Sequence, residues 1–168
     1  MWFEVEARIG QHGTLTTVWA AKGSRPTAVK QTAFECAYIS AMINPVTGDA
    51  LALITPDVNT ALMNDLLANL SKRLGDSKHA ILVWDNAGFH KSGTLEVPAN
   101  VTLLPLPPYS PELNRVERVW LWMRVHHLSN RAFDDAAHVE RAIAASCAQM
   151  EPERLKSICH TDWLERGN

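Results

Sequence analysis

The order of two hydrophobic patterns along the chain is the feature that most limits its possible folds. Up to about residue 55, apolar and polar residues alternate in short runs, which is typical of antiparallel strands. From Thr60 onward the apolar residues follow a helical spacing, and continuous apolar runs such as Ala80–Trp84 indicate strands buried on both faces. Antiparallel strands followed by strand–helix alternation predict an α/β domain with a mixed sheet and helices packed on it.

The predicted elements begin and end at turns rich in glycine, proline and asparagine. Strands are predicted at residues 2–9, 14–20, 34–43, 50–54, 80–84 and 101–104. Helices are predicted at residues 60–74, 116–128 and 134–150, and a short terminal helix is expected to begin around residue 151.

Composition excludes several classes of protein. A chain of 168 residues with 46% hydrophobic and 20% charged residues suits one globular domain and excludes wholesale disorder. No apolar run reaches the roughly 18 residues of a membrane span, and the first residues do not follow a signal-peptide pattern. Three scattered cysteines argue against a disulfide framework and for a reducing cytosol. The formal net charge of −2 argues against DNA binding through overall positive charge, although a local basic face remains compatible with it.

A carboxylate directly follows the most apolar predicted strand. Asp85 comes immediately after Ala80–Trp84, and open α/β sheets place their functional sites at the carboxyl ends of the strands. Asp85 is therefore a candidate functional residue. The structural alternative is that Asp85 and Asn86 form an Asx turn.

A second carboxylate, Glu117, lies at the margin of the apolar stripe of the helix predicted at 116–128. From there it could point along the sheet toward Asp85. The structural alternative is a capping box in which Asn114 is the N-cap and Glu117 the third helical residue, and spacing alone favours it. Two carboxylates from separate elements suit a hard cation such as Mg²⁺ or Mn²⁺, which activates water in phosphodiester cleavage.

Basic residues near this helix suggest a surface for nucleic acid. The helix is predicted to carry basic residues and one tryptophan on its outer face, where they could bind phosphates and stack on a base. A solvated helix face is the alternative. A basic loop at residues 22–26 and the histidine of the 85–90 segment complete the candidates, which are Arg25, His90, Arg115, Arg118, Trp122 and Arg124.

Three segments form a specific constellation. Residues 85–90 read Asp-Asn-Ala-Gly-Phe-His, residues 104–114 read Leu-Pro-Leu-Pro-Pro-Tyr-Ser-Pro-Glu-Leu-Asn, and residues 116–117 read Val-Glu. Shorter matches lie within residues 6–26 and 120–131. Together they resemble the catalytic domain of bacterial insertion-sequence transposases of the mariner-like superfamily, the insertion sequence 630 group. The resemblance covers nearly the whole chain.

The resemblance implies an RNase H-like fold, with a five-stranded mixed sheet flanked by helices, and an Asp-Asp-Glu triad that binds two Mg²⁺ or Mn²⁺ ions. It implies cleavage of DNA at transposon ends and joining of the freed 3′ ends to target DNA. It also implies a homodimer in a synaptic complex, at work in the bacterial cytoplasm at the nucleoid. Carried over by position, Asp85 is the second acidic residue and Glu117, 32 positions later, is the third.

The chain departs from the family pattern at two positions. Arg115 stands where the family has proline, a change tolerated in the first turn of a helix. Val5 stands where the family has its first catalytic aspartate. Glu4 and Glu6 are expected on the opposite face of the strand, so neither is an obvious substitute.

We therefore expect residues 1–168 to be one catalytic domain that lacks the family's helix-turn-helix region and has an impaired metal site. The alternative is a non-catalytic transposase relic that only binds DNA or a protein partner. Another RNase H-like nuclease, such as a resolvase, is disfavoured by the Pro-Pro-Tyr-Ser-Pro-Glu-Leu-Asn segment.

Overall fold

A single mixed sheet organises the computed structural model, which describes residues 1–13, 15–85 and 94–160. Its five strands lie in the order β3-β2-β1-β4-β5. The first three strands pair antiparallel, whereas β4 pairs parallel with both β1 and β5. The predicted mixed α/β architecture is confirmed. The strands are β1 (Trp2–Gly10), β2 (Cys36–Asn44), β3 (Asp49–Thr55), β4 (Ala80–Trp84) and β5 (Val101–Pro105).

Within the described part of the chain, four α-helices cover the sheet: α1 (Thr60–Leu74), α2 (Glu117–Met123), α3 (Ala136–Cys147) and α4 (Pro152–Cys159). The Asn59 side chain caps α1 by accepting a hydrogen bond from the Leu62 amide at 3.0 Å. The helix predicted at 116–128 is α2 followed by a π-helical turn at Arg124–Leu128. No helix in the described residues is long and apolar enough to cross a membrane.

Both faces of the sheet are buried, because α1 covers one face and the other three helices cover the other. Strand β1 contributes to both cores: Phe3 and Val5 pack toward α2 and α3, and Trp2 packs in the core formed with α1. Of the five strands, β1 is the central one, paired with β2 on one edge and with β4 on the other. Its first residues are therefore enclosed on four sides, since the pairing with β4 involves Trp2 and Phe3.

The strand predicted at 14–20 is wrong for the described residues 15–20, which have no regular secondary structure. β2 pairs with one edge of β1 along residues 3–10, so the segment has no pairing position on that edge, whereas β4 pairs with the other edge at Trp2 and Phe3. Side-chain amides attach the segment 15–35 instead. Gln31 Nε2 donates to the Phe133 carbonyl at 2.8 Å, and Asn130 exchanges two hydrogen bonds with the Thr16 backbone at 3.1 and 3.0 Å.

Gly48 in the β2–β3 turn provides a test of the packing between this turn and α4. Its φ is 71°, and a Cβ atom there would overlap the backbone of Pro152. We expect Gly48→Ala to lower the free energy of unfolding by about 2–4 kcal/mol, from backbone strain and overpacking together. Chemical denaturation measures this change.

Gly23→Ala is the matched control, because Gly23 also has a positive φ, 85°, but a Cβ there meets no atom within 4 Å. It should cost only the strain, about 1 kcal/mol. Equal losses in the two variants would show that the β2–β3 turn does not pack closely on α4.

Candidate active site

The carboxyl end of β4 brings Asp85 beside β1. The parallel register pairs Trp2 with Leu82 and Phe3 with Val83. Continued by two residues, it places Val5 next to Asp85 on the same side of the sheet. Val5 is buried, 3% exposed, whereas Asp85 lies at the surface. By this extrapolated register Asp85 lies beside Val5, the residue at which the resemblance leads us to expect the family's first aspartate.

Asn114 ties the start of α2 to β1. It is 5% exposed, and its Nδ2 donates to the Glu4 carbonyl at 2.8 Å, while its Oδ1 accepts a hydrogen bond from the Val116 amide at 3.3 Å. Helix α2 begins at Glu117 itself, after a 3₁₀ turn at Pro111–Leu113. The capping box is therefore not formed, and the Asn114 side chain instead anchors the helix that carries Glu117.

The charge of Asp85 acts on the carboxyl of Glu117. Glu117 lies at the surface, yet partial desolvation raises its pKa; nearby Arg124 lowers that pKa, and nearby Asp85 raises it further. The two carboxylates that the sequence singled out thus lie within electrostatic range of each other. Their charges repel each other, which is the condition in which a bound cation is favoured.

A third carboxylate, Glu4, lies close to this pair. It is 1% exposed, and burial raises its pKa well above the ordinary value; the charges of Glu6, Asp85 and Glu117 raise it further. Glu4 does occupy the face of β1 opposite Val5, but its carboxyl is still within electrostatic range of both site residues. The sequence held no signal for it, because alternation along β1 does not show that both faces of this strand are covered.

Oxygen ligands dominate this site, and they fit a hard divalent cation such as Mg²⁺ or Mn²⁺ in their chemistry. Within residues 1–13, 15–85 and 94–160, no group of three or more His, Cys, Asp or Glu side chains could hold a metal ion. Asp85 and Glu117 are of the chemical type that such an ion takes as ligands, and among the described residues no complete set of three is arranged around it.

Trp122 does not present an open face of the kind expected for stacking on a base. It is half-buried, and the His126 ring stacks on it with centroids 4.4 Å apart. The Arg154 guanidinium from α4 lies 5.1 Å from its ring centroid. Trp122 therefore packs between its own helix and α4.

The other predicted DNA-binding residues occupy separate places. Arg25 is exposed in the segment 15–35, and Arg115 is partly buried before α2. Arg118 is exposed and donates to the His160 carbonyl at 3.3 Å. Arg124 lies near Glu117, and His90 falls outside the described residues.

The family of this chain is shown by its similarity to known proteins. The family model of the DDE superfamily endonuclease matches residues 1–140. The chain belongs to this family. It is also 39% identical over 133 residues to the uncharacterized protein y4pE/y4sA of Sinorhizobium fredii (strain NBRC 101917 / NGR234), a match covering 78% of this chain and 98% of that protein.

Solved structures of the Mos1 transposase share the fold. The Mos1 mariner paired-end complex with Mn superposes with a TM-score of 0.67 at 21% identity, over 95% of this chain and 51% of that one. The Mos1 strand transfer complex gives a TM-score of 0.66 at 22% identity, over 95% and 50%. The expected RNase H-like fold is confirmed. The chain spans about half the length of these solved structures.

The buried Glu4 carboxyl should make stability depend on pH. Because the folded-state pKa of Glu4 is raised, the protein is most stable with this carboxyl neutral. The free energy of unfolding is therefore highest below the ordinary pKa of 4.5 and falls as pH rises through the folded-state pKa. We expect Glu4→Gln to flatten this decline and to raise the melting temperature of the metal-free protein more at pH 8 than at pH 4.

Thermal denaturation from pH 4 to 8 measures this effect. Glu140→Gln, on the exposed face of α3, is the matched control and should leave the shape of the profile unchanged. Parallel profiles for the unchanged chain and Glu4→Gln would contradict the burial of this carboxyl.

Proposed function

We propose that this chain is the catalytic domain of a transposase that cleaves DNA at transposon ends and joins the freed 3′ ends to target DNA. The observation that carries this proposal is that Asp85, at the carboxyl end of β4, and Glu117 lie within electrostatic range of each other in a DDE superfamily endonuclease. The similar Mos1 structures include complexes with a transposon end and with Mn or Mg, which supports DNA as partner and a divalent cation as cofactor.

Asp85 and Glu117 would hold the Mg²⁺ or Mn²⁺ ions. When bound, these ions supply activation of the attacking water and stabilisation of the leaving oxygen. Helix α2 and its Asn114 anchor position Glu117, and β4 positions Asp85. Because the pKa of Glu117 is raised, protons compete with a cation for its carboxylate at acidic pH.

Val5 should impair this activity. It has no lone pair to offer a cation, and it packs in the apolar core that also contains Val116. That complete integration into the core favours a second candidate function, a non-catalytic relic that binds DNA or a protein partner. In either case we propose action on DNA in the bacterial cytoplasm at the nucleoid, and for the enzyme a homodimer in the synaptic complex.

Restoring the aspartate separates these functions. We expect the unchanged chain to show little Mg²⁺- or Mn²⁺-dependent strand cleavage, and Val5→Asp to cleave roughly a thousandfold faster, since a metal ligand contributes several kcal/mol to the transition state. The assay uses labelled transposon-end DNA and a fusion to the end-recognition region of a close relative, so that weak DNA binding does not mask the chemistry.

Two controls sharpen the comparison. Val5→Asn has nearly the same size as the aspartate but no charge and should stay inactive, and Val5→Asp/Asp85→Asn should lose the restored cleavage. Equal cleavage by the unchanged chain would contradict the impairment, and Glu4→Gln would then test whether Glu4 supplies the third carboxylate. No cleavage by any version would favour the relic.

DNA binding by the chain alone should be weak, because its net charge is −2, and independent of sequence, because we expect transposon ends to be read by the family's helix-turn-helix region. Between about 50 and 200 mM salt the affinity should fall steeply through counterion release. Fluorescence anisotropy with duplexes that carry or lack a transposon end measures both properties. Tight, sequence-specific binding at physiological salt would show that this chain reads transposon ends itself.

A further inference from the structure

Strand β3 forms one edge of the sheet. It pairs with β2 along all of Asp49–Thr55, and no strand of the described residues pairs with its outer edge. Alternate N–H and C=O groups on that outer edge therefore point away from the sheet. Edge strands usually carry charged residues, prolines or bulges that prevent pairing with another chain. Residues 50–54 read Ala-Leu-Ala-Leu-Ile and have none of these, whereas β5 at the opposite edge ends in Pro105.

A cavity lies beside this strand on each face of the sheet. On the other-helix face, a cavity of about 220 Å³ lies between the sheet and helices α2, α3 and α4, where β3 has the small side chains of Ala50 and Ala52. Ala52 lines both cavities and is exposed. A strand added to this edge would send alternate side chains toward the two cavities. The α1 face has a groove of about 490 Å³, lined by Leu51, Leu53, Leu66, Asn69, Lys72 and Arg73.

The polar wall of the α1 groove carries opposite charges at its two ends. Helix α1 runs antiparallel to β3, because Arg73 near its end forms an ion pair with Asp49 at the start of the strand. Asn69 and Lys72 line the groove, and the exposed Asp65 lies one turn before Asn69 on the same face of the helix. The wall is therefore acidic toward the start of α1 and basic toward its end.

Two copies of β3 complement each other when they pair antiparallel about a two-fold axis at Ala52. Directly opposite residues of an antiparallel pair lie on the same face of the sheet. Leu51 would thus meet Leu53 of the second copy, and Ala52 would meet its own counterpart. The same axis reverses α1, so the acidic part of one groove wall would face the basic part of the other. An interface with a two-fold axis requires this kind of self-complementarity.

We propose that the free chain forms a symmetric homodimer in which the two β3 strands pair and join the two five-stranded sheets. The partner is a second copy of this chain, and the α1 grooves contribute to the contact together with the strands. This dimer requires no DNA, unlike the homodimer of the synaptic complex. Strands β2 and β1 separate β3 from β4, so the contact lies away from Asp85.

Charges at Ala52 test this pairing, because the two-fold axis places the residue opposite its own counterpart. The unchanged chain should sediment as a dimer in analytical ultracentrifugation without DNA. Ala52→Lys and Ala52→Glu each place like charges opposite one another, so each should raise the dimer dissociation constant by about tenfold. An equimolar mixture of the two variants should regain the dimer, because lysine then lies opposite glutamate.

Ala144→Lys is the matched control, because Ala144 is exposed on the outer face of α3, and it should leave the dimer unchanged. Circular dichroism and melting temperature confirm that the variants fold. A monomeric unchanged chain, or a dimer insensitive to both charges at Ala52, would overturn the proposal. Loss of the dimer in both variants without recovery on mixing would also overturn it, since Ala52 would then not face its counterpart.

A charge exchange on α1 tests the groove wall separately. Lys72→Glu places a carboxylate opposite Asp65 of the second copy and should raise the dimer dissociation constant about fivefold. Asp65→Lys/Lys72→Glu exchanges the two signs and should restore the dimer. Weakening without restoration would contradict this arrangement of the helices. All these measurements are made without DNA or metal, so their failure would leave the proposed cleavage activity unaffected.

Discussion

The burial of β1 between the core formed with α1 and the core formed with α2 and α3 is the constraint on which the rest of the structure depends. Water does not reach most of this strand, so each polar side chain on it requires compensation from protein groups or from a bound ion. Glu6 accepts a hydrogen bond from Ser40 Oγ on β2 at 3.2 Å, whereas the carboxyl of Glu4 is buried with its pKa raised. Val5 avoids this cost altogether. The apolar packing of Val5 therefore favours the metal-free fold over one with a further carboxylate at this position.

The sequence predicts well those elements whose formation depends mainly on the pattern of their own residues. Helix α1 was predicted with the bounds that the structure has, because a regular apolar stripe lies between the Asn59 cap and Gly75. The strand Ala80–Trp84 was equally clear, because its continuous apolar run suits a strand covered on both faces. The strand expected at 14–20 is absent from the described residues 15–20, because alternation shows that a segment could form a strand but not that a partner strand lies beside it.

The residues of the candidate site likewise differ in how far local sequence patterns predict them. Asp85 could be found from its position after a buried strand, but the importance of Glu117 emerged only from the family resemblance, since spacing alone favoured a capping role. The sequence did not predict that Glu4 lies near the site. Alternation along one strand shows which face a residue occupies but not how near its carboxyl lies to residues on other elements. Trp122 was expected to be exposed, and it is covered by Arg154 of α4, a contact that the pattern of its own helix does not contain.

The long segment between β1 and β2 is attached to the domain by the amide side chains of Gln11, Gln31 and Asn130 and not by a strand ladder. Almost every residue of it is exposed, including Trp19. A ladder would couple each of its residues to a neighbour in register, whereas three amides constrain only the points where they attach. The tip of the segment can therefore change in sequence or length during evolution while the sheet stays the same. Changes at the tip would therefore leave the strand pairing that positions Asp85 unaffected.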